Sequence, residues 1–69
     1  MVSSDAHDVP SSAVLSALAS QVEDLVARVG AGAEASDGPS TEGVAAALFD
    51  AERALRSALR ALQRAERAR

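Results

Sequence analysis

The stretch Val44–Arg69, VAAALFDAERALRSALRALQRAERAR, holds no glycine or proline and is made largely of alanine, leucine and arginine. These are the strongest helix formers, so the spacing predicts one unbroken helix to the end of the chain. Val44, Leu48, Leu55, Leu59 and Leu62 fall on one face of it. Arg53, Arg56, Arg60, Arg64 and Arg67, spaced by three or four residues, fall on another. Alanines 47, 51, 54, 58, 61 and 65 flank the leucines and leave a wide, shallow apolar surface that a second helix can approach closely.

Upstream, Pro10 suits the first turn of a helix, and Ser11 or Ser12 suits its cap. Leu15, Leu18, Val22, Leu25 and Val29 alternate spacings of three and four, the pattern of a coiled-coil-like heptad seam that Val14 and Val26 widen. Gly30 and Gly32 are expected to end this helix. The sequence thus divides into a disordered tail over 1–9, a helix over about 11–29, a small-residue loop over about 30–39 and a helix over about 41–67. Pro39 restarts the second helix, with Ser40 or Thr41 as its cap and Gly43 weakening the first turn. The expected fold is all-α. Two helices fold back as an antiparallel hairpin that associates into a four-helix-bundle dimer or completes a bundle with a larger partner.

Size supports the dimer. A chain of 69 residues buries a modest fraction of its surface. Its large apolar side chains are essentially seven leucines, seven valines, Phe49 and Met1, with no cysteine to staple them. The net charge of −3 is unevenly spread. Residues 1–50 carry eight acids against one arginine, and residues 51–69 carry six arginines against two acids. No apolar run approaches the roughly 20 residues of a membrane span, and the start lacks the charge and apolar stretch of a signal peptide, so the expected location is the cytoplasm. The excess of arginine over lysine suggests a GC-rich bacterial genome such as an actinobacterium's.

Chemistry finds few tools. A single histidine, no cysteine and no glycine-rich phosphate loop give no reason to expect an enzyme, a cofactor or a metal site. Asp5, His7 and Asp8 sit in a tail that offers no rigid frame for a metal. The expected role is a non-enzymatic protein–protein interaction module, such as an adaptor, accessory subunit or regulator. Leu15, Leu18, Val22, Leu25, Val29, Val44, Leu48, Leu55, Leu59 and Leu62 would form its core and interface. Phe49, Arg53, Arg56 and Arg60 would contact a partner.

The arginine ridge has a plainer reading as a solvated face whose charges complement the helix C-terminus. Its functional reading favours an acidic protein surface. Overall acidity and the lack of lysine and of stacking aromatics count against a nucleic-acid-associated regulator built on the same ridge. Phe49 either caps the core near the loop or stands out among the arginines as an anchor. Glu66 falls in line with the leucines. Packing is expected to stop near Leu62, which leaves the last turn solvated; the competing reading pairs Glu66 with an arginine across an interface. In plan the hairpin resembles helical docking elements of multienzyme synthases and small actinobacterial regulators. The likeness is architectural, and architecture does not assign function.

Overall fold

The computed structural model describes residues 9–36 and 38–68. The expected tail therefore lies, apart from Val9, outside the described residues, together with the Asp5, His7 and Asp8 cluster. Two helices account for nearly all of the rest: α1 over Ser12–Ala35 and α2 over Glu42–Ala68. At 1.5 Å per residue they are about 36 and 40 Å long. No strand occurs among the described residues.

The start of α1 follows from its cap. The Ser11 hydroxyl accepts the Val14 N–H at 3.1 Å, and the Ser11 carbonyl accepts the Leu15 N–H at 3.0 Å. The end differs from expectation. Gly30 and Gly32 do not stop the helix, which runs through both to Ala35. Ser36 ends it instead: its N–H donates to the Ala33 carbonyl at 3.2 Å and its hydroxyl to the Gly32 carbonyl at 2.9 Å. At Gly38 the chain is extended, and Pro39–Thr41 forms one 3-10 turn. The Thr41 hydroxyl accepts the Gly38 N–H at 3.1 Å and donates to the Gly38 carbonyl at 3.0 Å, which fixes the entry into α2.

The helices pack side by side as a hairpin. Space for a Cβ at Gly32 is bounded by Leu48, and at Gly30 by Glu52. As the number falls on α1 it rises on α2, so the helices run antiparallel. The buried line on α1 is Leu15, Ala19, Val26 and Ala33, with Val22 and Val29 half-buried between them. This seam alternates steps of four and three, but it is rotated from the expected one. Ala19 and Val26 stand where Leu18 and Leu25 were expected, and these two leucines are 40% and 41% exposed. The physical reason is size matching across the seam. The half-buried line of α2 is Ala45, Leu48, Glu52, Leu55, Leu59, Leu62 and Glu66, flanked by half-buried Ala51, Gln63 and Ala65. Its bulky leucines leave room on α1 for alanine, glycine and valine.

Two glutamates occupy that line. Glu52 packs closely on the bare backbone of Gly30: a Cβ there would lie 3.2 Å from Oε2 of Glu52. Its side chain is only 18% exposed, and Oε2 accepts a hydrogen bond from Arg56 Nη2 at 2.6 Å. Glu66 is half-buried opposite the start of α1 rather than solvated, so the seam continues past Leu62.

Gly32 is a different case. A Cβ there would meet Leu48 Cδ1 at 3.5 Å, an ordinary contact, on helical backbone. Gly32→Ala is therefore expected to stabilise the hairpin by about 0.5–1 kcal/mol through helix propensity alone. Urea unfolding followed by circular dichroism checks this; a loss of stability would show that the helices need the bare glycine backbone.

Candidate functional site: an uncovered apolar face and an arginine face

At about 100° per residue, each helix has two edges beside its seam. The Gly32–Leu48 and Gly30–Glu52 contacts show which edges lie together. Val14, Leu18 and Leu25 share the Gly32 edge of α1. Val44, Ala51, Ala58 and Ala65 share the Leu48 edge of α2. These residues lie on one side of the two-helix layer. Phe49 and the arginines lie on the other side, together with Glu23 and Glu34 of α1. The depression next to the loop agrees, since Glu34 and Phe49 line it together with Ala33, Ser36, Pro39 and Ala45.

The first side is apolar and uncovered. Val14, Leu18, Leu25 and Val44 are 50%, 40%, 41% and 52% exposed. No described residue of α2 is buried. The molecule is 14 Å thick in its thinnest direction, the depth of one helix layer. One layer leaves both helices covered on a single edge, whereas a stable core needs apolar surfaces closed by a second layer.

The second side carries charge. Arg56 pairs with Glu52, and Arg53 with Asp50 one turn before it. Arg28 of α1 pairs with Asp24 at 3.4 Å on the exposed surface, at the outer margin of the apolar side beside Leu25. Such pairs are worth little individually. Arg60, Arg64 and Arg67 make no ion pair among the described residues. Phe49 is 42% exposed at the loop end of this ridge. It is thus a partly buried wall of an open depression, between the two readings its sequence position allowed.

The structure therefore sorts the expected site residues into three groups. Leu15, Val22, Val29, Leu48, Leu55, Leu59 and Leu62 lie in the intramolecular seam, whereas Leu18, Leu25 and Val44 lie outside it on the apolar side. Phe49, Arg53, Arg56 and Arg60 form the opposite side. Ala19 and Ala33 belong to the seam although size-weighted pattern reading passed over them, and Val26, expected only to widen the seam, is buried in it. The signal for Ala33 was the helical phase carried on past Gly30. Among the described residues there is no cluster of metal-ligating side chains, and no helix is long and apolar enough to cross a membrane. No protein-family model, curated protein or solved structure matches the chain.

Proposed function

We propose that this chain is a non-enzymatic protein–protein interaction module that works by having its apolar side covered. The observation that carries this reading is the set of exposed Val14, Leu18 and Leu25 beside an alanine-lined edge on a single helix layer. Contiguous exposed apolar surface on a small protein marks an interaction site. Covering it supplies the second layer that the hairpin lacks. The arginine side then faces outward. Arg60, Arg64 and Arg67 favour an acidic protein surface, set orientation and speed encounter more than they add affinity.

Sedimentation from low to high micromolar concentration tests the proposal, in parallel with retention of host proteins on the immobilised chain. Association, with itself or a captured protein, is expected, and it should be lost in Leu25→Glu. A monomer that retains no protein in a Leu25-dependent way would overturn the reading. A second expectation concerns the ridge. Reversing Arg60 and Arg64 to glutamate should lower the capture rate of an acidic partner about tenfold at low salt and much less at 0.5 M salt, because exposed charges are screened within a few ångströms there.

A further inference from the structure

We infer that the apolar side is covered by a second copy of this chain, turned about the long axis of the hairpin so that both loops lie at the same end. This inference rests on the interaction-module reading and names the occupant and its orientation. Two files on one side of the layer carry it. Leu18 and Leu25 on α1 are seven residues apart. Val44, Ala51, Ala58 and Ala65 on α2 also recur every seven. A ridge of two leucines and a shallow file of alanines with the same repeat are complementary, and both sit on one molecule. A surface that complements itself is what a twofold interface requires.

The repeat gives the seating. Leu25 of one copy fits the hole framed by Ala51, Ala54, Leu55 and Ala58 of the other. Leu18 fits the next hole, framed by Ala58, Ala61, Leu62 and Ala65. Only rotation about the long axis lays α1 of each copy over α2 of its partner. Rotation about the perpendicular axis in the interface plane lays leucine on leucine and alanine on alanine.

Area is sufficient. A side about 36 Å long and two helices, or about 20 Å, wide offers roughly 700 Å² per copy. A standard stable interface buries about 800 Å² per partner. The opposing effect is charge, since this orientation brings the acidic loop ends of the two copies to one end and the arginine ends to the other. Most of these residues, including Glu34, Arg60 and Arg67, lie on the outward sides of layers 14 Å thick. Across two such layers the repulsion is screened beyond the Debye length of about 10 Å at 0.1 M salt. Packing therefore decides the orientation, and added salt should not weaken the dimer.

The chain has no cysteine, so Ser40→Cys in the 3-10 turn gives one unique spin-label site per copy. Double electron–electron resonance is expected to give a label distance below about 25 Å, against about 40 Å, a helix length, for the reversed arrangement. Ala58→Leu fills the shared wall of the two holes and is expected to weaken the dimer by at least about tenfold. It should leave monomer helicity unchanged, because Ala58 is exposed in the isolated hairpin. Short distances together with weakened Ala58→Leu association support the inference. A distance near 40 Å overturns the orientation, and a chain that stays monomeric at high micromolar concentration overturns the second copy as occupant. The broader reading falls only if Leu25→Glu also leaves the retention of every captured protein unchanged.

Discussion

Replacing Leu25 by glutamate is expected to leave the hairpin helical and to abolish its association. Leu25 is 41% exposed and lies outside the intramolecular seam, so the substitution costs the isolated hairpin little. In the covered state the same site is desolvated. Losing the leucine contact and burying a carboxylate without a partner together cost about 2–4 kcal/mol per site. A twofold interface counts this twice, so dissociation constants should rise by roughly a thousandfold or more. Sedimentation velocity and circular dichroism on the same samples separate the two effects. A Leu25→Glu protein that associates like the parent would place the interface elsewhere, whereas one that loses its helicity would place Leu25 in the core.

The second large effect is expected at Ala33. Judged by apolarity alone, Ala33→Leu adds hydrophobic surface to a chain short of it. Here the residue is 1% exposed, the most buried of the described residues, on the seam of α1 at the depression that Ala45 of α2 also lines. A leucine that keeps to the seam must push the helices apart, at a cost of about 1–3 kcal/mol, because the open depression lies beside Ala33 and not between the helices. Small single-core domains rarely hold more than about 3–5 kcal/mol, so the variant should lose much of its helicity at room temperature. Thermal unfolding measures this. A variant as stable as the parent would mean that the seam does not continue through Ala33.

These two residues also show what was legible in the sequence and what was not. The continuous helix from Val44 and the all-α hairpin follow from composition and period, because nothing in that stretch competes with a helix. Ser11 was one of two caps the sequence offered, with Pro10 preceding it rather than opening the helix, and Pro39 restarts the chain in a 3-10 turn capped at Gly38 rather than at Ser40 or Thr41. The phase of α1 was not. Steps of three and four fit both the line through Leu18 and Leu25 and the line through Ala19 and Val26. A reading weighted by side-chain size chooses leucine. The partner helix makes the choice instead, because its leucines already fill the seam and favour small residues opposite.

Gly30 misled for a related reason. Glycine stops a helix where the chain needs a left-handed residue, but here it sits on helical backbone with the Glu52 carboxylate packed close against it. Neither fact is local, so no window along the chain contains it. The apolar side was seen in the sequence only as a flank of alanines. Its leucine ridge emerged once α1 was rotated into its true phase.

If one hairpin layer is incomplete and is covered by a second copy, the mass of the purified chain in solution must show it. Sedimentation equilibrium at high micromolar concentration is predicted to give twice the 7.0 kDa of one chain. The mass should fall toward the single-chain value on dilution, with the helical signal kept. A 7.0 kDa species at every concentration would contradict covering by a second copy.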